Sequence, residues 1–124
     1  MKNTLLKSLL LGFSLALSTP MVLAHGSLEP EHGGIVKEKH DLIVELVREA
    51  AGTSIYVKEH DDPVNTAELI GSLTILAAGK KQEVQLTAAG DNKMSADVVL
   101  TNDTKVLVKI KPQGHHAVVL RYSF

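Results

Sequence analysis

The stretch Lys105-Val106-Leu107-Val108-Lys109-Ile110-Lys111, followed after Pro112-Gln113-Gly114 by a run from His116 to Tyr122, carries the reading of the fold. Val106, Val108 and Ile110 alternate with Lys105, Lys109 and Lys111, and Val118, Leu120 and Tyr122 alternate with Val119 and Arg121. A period of two puts successive side chains on opposite faces of a strand, so each segment has one buried and one wet face. The Pro-Gln-Gly between them is turn chemistry.

The same pattern extends backwards along the chain. Leu73 to Ala77, Glu83 to Thr87 and Ser95 to Leu100 read as strands, with Gly79-Lys80, Gly90-Asp91-Asn92 and Thr101-Asn102-Asp103-Thr104 as separators. Asp41 to Arg48 and Ser54 to Glu59 read as a hairpin turned by Glu49-Ala50-Ala51-Gly52-Thr53. Asp61-Asp62-Pro63 is a further turn, because Asp side chains bond local amides and Pro presets φ, and the chain restarts at Leu69. Val36 to Ala51 also fits a 3.6-residue period, but Ile43, Val44 and Val47 are β-branched and favour a strand. The expectation is all-β: a seven- to eight-stranded antiparallel β-sandwich, immunoglobulin-like or a related Greek key. Beyond residue 24 the only aromatics are Tyr56, Tyr122 and Phe124, so the core must be aliphatic.

The N-terminus reads as an export signal. Lys2 and Lys7 precede an apolar run from Leu9 to Leu17, Ser18-Thr19-Pro20 breaks any helix, and Val22 and Ala24 occupy the small-residue positions that a signal peptidase reads. The run is shorter than the ~20 residues needed to span a bilayer. Cleavage is expected after Ala24, giving a signal peptide over 1–24, a flexible histidine-containing arm over 25–34 and one domain over 35–124. The expected localisation is periplasmic or secreted, with no stable membrane insertion after cleavage. The chain has no cysteine, which excludes disulfides and lipid attachment at a cleavage-site thiol. Removing 1–24 takes Lys2 and Lys7 and no acid, which leaves 11 basic against 14 acidic side chains and a formal charge of −3. That balance argues against both nucleic acid and an anionic membrane surface as partners.

The chemistry must come from six histidines, all beyond the signal: His25, His32, His40, His60, His115 and His116. Without thiols, a transition metal would have to be held by imidazole, carboxylate or thioether, and imidazole suits copper, zinc, nickel and cobalt alike. A metal ion, copper or zinc ahead of nickel or cobalt, is therefore the expected ligand. After cleavage His25 would carry a free α-amine beside its imidazole, and His32 lies on the same arm with Glu29 and Glu31. His115 and His116 follow a turn; as strand neighbours they would point to opposite faces, so both can serve one ion only from a loop. His60 stands beside Asp61 and Asp62, where a carboxylate could hold the ring as a second-sphere partner. His40 and Asp41 repeat that pairing more weakly, and Met94 offers the one thioether beyond the signal.

No nucleophile elbow, phosphate loop or thiol nucleophile is present, so no enzymatic activity is expected. An N-terminal His paired with a second His would match the brace of copper oxygenases, but the surface aromatics that would hold a sugar chain are missing. The reading is a non-catalytic metal-binding protein for heavy-metal buffering, delivery or efflux. The competing reading is an envelope structural or interaction module whose sheet edge binds a partner and whose histidines are incidental.

His32-Gly33-Gly34, the Leu42 to Val47 strand, Ile55-Tyr56-Val57-x-x-His60-Asp61-x-Pro63-Val64-x-Thr66-Ala67 and Leu86-x-Ala88-Ala89-Gly90-Asp91-Asn92-x-Met94-x-Ala96 together resemble a small periplasmic β domain. It occurs free-standing and at the N-terminus of adaptor subunits of heavy-metal efflux pumps of the resistance-nodulation-division type. The resemblance covers about two-thirds of the domain and implies heavy-metal handling, with components of an efflux system as partners. Of the candidate ligands, His32, His60 and Met94 fall inside the matching motifs. No counterpart of the adaptors' lipoyl-like, hairpin and barrel regions is found, so a stand-alone module is expected.

Overall fold

The computed structural model describes residues 28–124, so the expected signal peptide, its cleavage position and His25 lie outside the described residues. The strands are β1 (Ile35–Lys39), β2 (Leu42–Glu49), β3 (Gly52–Glu59), β4 (Asp62–Pro63), β5 (Leu69–Ala77), β6 (Lys80–Ala88), β7 (Lys93–Ala96), β8 (Lys105–Pro112) and β9 (Val118–Ser123), with a 3-10 turn at Thr66–Glu68. All pairings are antiparallel, as the alternation predicts. Among the described residues no helix is long and apolar enough to cross a membrane.

The expected two separate sheets are not seen. One hydrogen-bonded path runs β1-β2-β3-β7-β6-β5-β8-β9, with β4 attached to β3. β6 is the corner: it pairs with β5 from Lys80 to Leu86 and then passes to β7 through Thr87 and Ala88. The path curls until its two ends meet and is nearly a closed barrel. At the seam Lys39 Nζ donates to the Val119 carbonyl at 3.1 Å, and the Lys37 ammonium stands 5.8 Å from the centre of the Tyr122 ring. Tyr122 itself reaches across, its hydroxyl donating to the Val44 carbonyl at 2.7 Å.

Curling encloses one face of every long strand. Leu42, Val44 and Leu46 from β2 meet Ile55 and Val57, Leu73 and Ile75, Val106, Val108 and Ile110, and Val118, Leu120 and Tyr122. The core is aliphatic apart from Tyr122, as composition required, and Met94 lies within it, 1% exposed.

Two details depart from the sequence reading. β1 forms its own hairpin with β2, turned by His40 and Asp41 at φ of 50° and 67°. Positive φ at both central residues is the type I′ pattern, which suits the strand twist. The signal usually read for it is Asn-Gly, and His-Asp does not announce it. The turn expected at Asp61-Asp62-Pro63 sits one residue earlier, at His60-Asp61, because Asp62 and Pro63 pair with Glu59 and Lys58 as β4.

Two segments singled out in the sequence, around Thr66 and around Asp91, touch one another. The Thr66 amide donates to the Asp91 carbonyl, and its buried hydroxyl bonds the carbonyls of Asp91 and Lys93, while the Val57 amide donates to the Asn92 carbonyl. Asn65 caps the 3-10 turn through the Ala67 amide. The Pro63-to-Ala67 and Gly90-to-Met94 segments are therefore two halves of one joint, which fixes the crossover from β3 to β5.

Burial raises the Tyr122 hydroxyl above the ordinary phenol range, because the phenolate would lose its water. A folded-state pKa above the unfolded one gives stability that is complete below the unfolded value and is lost as pH rises beyond it. Tyr122→Phe should cost ~0.5–1.5 kcal/mol near neutrality through the lost hydrogen bond to Val44. It should also flatten the decline in urea midpoint as pH climbs past ~10. Equal alkaline slopes in wild type and variant would contradict this account.

Candidate functional site

Two places concentrate chemistry, and the first is built on Glu45. This acid stands in an otherwise apolar strand, Leu42-Ile43-Val44-Glu45-Leu46-Val47, and is 5% exposed. A buried carboxylate must find donors. They come from the arm: the His32 amide lies 2.7 and 3.0 Å from its two oxygens, the Gly34 amide 3.3 Å and His32 Nδ1 2.9 Å. An ionised carboxylate only accepts, so Nδ1 carries the hydrogen and the neutral ring keeps its lone pair on Nε2. The imidazole stacks on Tyr56 with ring centres 3.5 Å apart and planes within 4°.

This clamp accounts for the burial of β2 on both faces. Val44 and Leu46 face the core, while Ile43 and Glu45 lie under the arm and the first residues of β1. Gly34 is required at the crossing, since a Cβ there would stand 2.3 Å from the Leu46 carbonyl oxygen. Lys58 pairs with Glu31, and its hydrogen bond and charge hold that carboxyl below the usual range. The expectation of a flexible arm is thus modified for residues 31–34, which are tied to the sheet.

The second place is a cleft of about 550 Å³ at one end of the barrel. The end of β1, the start of β2, the end of β3, the start of β5 and the β8–β9 loop converge there. His40 from the β1–β2 turn shares the cleft with His115 and His116 from the β8–β9 loop, and Glu59 and Glu68 line it too. Leu42, Val64, Leu69 and Val118 form its apolar part. His115 and His116 precede β9 and are exposed, which satisfies the loop condition for neighbouring ligands.

The remaining candidates fall elsewhere. His60 and Asp61 lie on the exposed β3–β4 turn, and the His60 amide donates to the Asp41 carbonyl, so this turn adjoins that of His40. Among the described residues neither Asp61 nor Asp62 bonds the His60 ring, so the expected second-sphere pairing is not formed. Met94 leaves the donor set, for its sulfur packs beside Gly71, where an added methyl would stand 3.3 Å away. His32 belongs to the Glu45 clamp and is separate from the cleft. Among the described residues no three His, Asp or Glu side chains stand close enough to form a ready coordination shell. The cleft collects donors at its walls without converging them on a point.

Sequence reading passed over Glu45, Tyr56, Glu59 and Glu68. Only Glu45 left a signal, a lone acid inside a continuous apolar strand. No family model, curated protein or solved structure matches this chain.

Glu45→Ala should leave two backbone amides and the His32 ring short of an acceptor. The expected cost is ~1–3 kcal/mol, with faster amide exchange at His32 and Gly34 well before global unfolding. Unchanged exchange at those two amides would show that the arm is held by something else.

Proposed function

We propose that this protein is an exported, non-catalytic metal-binding module that takes up a transition-metal ion, copper or zinc foremost, in the barrel-end cleft through His40, His115 and His116. The observation that supports the reading is that three histidines from two loops, some 75 positions apart in sequence, line one cleft together with Glu59 and Glu68. Imidazole and carboxylate are the donors that zinc and divalent copper prefer in the absence of thiolate.

Binding on this reading draws the His115–His116 loop toward His40, so part of the binding free energy goes into ordering the loop. That coupling suits buffering and delivery, where an ion must be released as well as held. The export signal expected over 1–24, with cleavage after Ala24, supports a periplasmic or secreted location, and the resemblance to the N-terminal domains of heavy-metal efflux adaptors supports a role in metal efflux or resistance. His25 is an accessory donor on this reading. His32 is a positioning residue of the arm whose free Nε2 is available to an additional ion.

Calorimetric titration with Zn²⁺ and Cu²⁺ tests this. The triple variant His40→Ala/His115→Ala/His116→Ala should bind at least ~tenfold more weakly than wild type, a loss of ~1.4 kcal/mol or more. His60→Ala should bind as wild type does. Affinity should also fall as pH drops through the imidazole range, since ligation needs the neutral ring. Equal affinity in wild type and triple variant would remove the cleft from the reading, and no binding above a generic surface-histidine control would remove the metal.

A further inference from the structure

The fold segregates charge that the composition averages away. Within 69–88 and 105–124, which supply β5, β6, β8 and β9, there are six cations and a single acid, Glu83. The other thirteen acids of the chain lie in 28–68 and 89–104, against five cations. The net charge of −3 over residues 28–124, which by itself argues against an anionic surface, thus conceals one strongly basic set of strands and one strongly acidic remainder.

Register turns the basic segment into a face. Val106, Val108 and Ile110 of β8 point into the core, so Lys105, Leu107, Lys109 and Lys111 point out. Lys105 is paired with Leu76 of β5, Lys109 lies beside Val119 of β9, Lys111 beside Ile70 of β5, and Leu107 beside Arg121 of β9. Lys81 of β6 continues the row beyond Leu76. Neighbouring strands lie ~4.8 Å apart and outward residues on one strand ~7 Å apart, so these charges cover a patch ~15 Å across the strands and ~20 Å along them. Ile70 is 66% exposed and Leu76 39%, both among the lysines. Among the described residues none of the five cations is in an ion pair; Glu83 lies within the face, and Asp103 and Glu38 stand at its margins.

We propose that this outer face of β5, β6, β8 and β9 docks the protein peripherally on an anionic phospholipid surface. Composition separates this partner from a protein. Protein interfaces are enriched in aromatic residues and Arg and depleted in Lys. This face has no aromatic side chain, and four of its five cations are Lys. Lysines attract a diffuse layer of headgroup phosphates, and exposed aliphatic side chains between them enter the headgroup boundary. The acidic remainder is repelled from the same surface, which orients the molecule.

The test is vesicle co-sedimentation of the protein beginning at His25, with a chelator present so that no metal bridges protein and lipid. Vesicles of equal parts phosphatidylcholine and phosphatidylglycerol should retain the protein, and pure phosphatidylcholine should not. Binding should fade as salt shortens the screening length from ~10 Å at ~0.1 M to ~3 Å at ~1 M. Lys105→Gln/Lys109→Gln/Lys111→Gln should weaken retention by more than ~tenfold, since each cation near such a surface contributes ~1 kcal/mol. Ile70→Ser should weaken it to a lesser degree, while Asp61→Asn/Asp62→Asn on the acidic side should not weaken it. Urea midpoints of the variants establish that they are folded. Absence of binding to the anionic vesicles would overturn the proposal. So would retention of the triple variant at wild-type strength, or capture by soluble heparin without capture by vesicles. Failure of metal binding in the cleft would leave this result untouched, because the two surfaces share no residue.

Discussion

Among the described residues no α-helix covers the sheet, so apolar surface is buried by bending the sheet onto itself. Everything else in this structure follows from that closure. The hydroxyl of Tyr122 on the last long strand meets the carbonyl of Val44 on the second, 78 positions earlier, inside the hydrophobic core. Lys37 and Lys39 line the same seam, and their stems and charges occupy the gap that a further ladder would otherwise fill. The path therefore curls to near closure without a continuous ring of hydrogen bonds, and its two ends are held by side chains.

Closure of one face leaves the other open to solvent, and the protein treats that outer surface in two ways. Over β2 and β3 it lays down its own arm, held by a buried carboxylate that gathers two amides and an imidazole. Stacking of His32 on Tyr56 and the approach of Gly34 to Leu46 make the cover tight. Over β5, β6, β8 and β9 the outer surface stays bare and carries lysines and exposed aliphatic side chains. The two treatments give the molecule a covered, acidic side and an uncovered, basic one.

The barrel end adds a third surface. Strands that curl together bring their connecting turns together, and three turns or loops that carry histidine end up there: His40, His60 and His115–His116. Two of these open on the same cleft. A cleft at the end of a barrel, walled by a turn and a loop and lined partly by apolar side chains, is a common place for a ligand, because the scaffold sets where the loop donors stand. The lipid-facing side and the metal-holding end proposed above are compatible on one small module, since the residues involved are disjoint.

Alternation of apolar and polar residues made the all-β, antiparallel character legible, and low aromatic content made the aliphatic core legible, because both depend only on local spacing and composition. Strand positions were readable for the same reason, save where a turn used unusual residues: His40-Asp41 hid a hairpin, and β1 was not read as a strand of its own. The histidines were readable as a chemical class. Their grouping was not, because it depends on which turns share an end of the barrel, and that is set by the crossovers from β3 to β5 and from β7 to β8. The role of Glu45 needed the arm's return path, and the retirement of Met94 needed the core around it. Net charge spoke for the chain as a whole, while register alone sorted Lys81, Lys105, Lys109 and Lys111 onto one face. Local pattern determines which elements form and what each side chain could do; long-range pairing decides which of them meet.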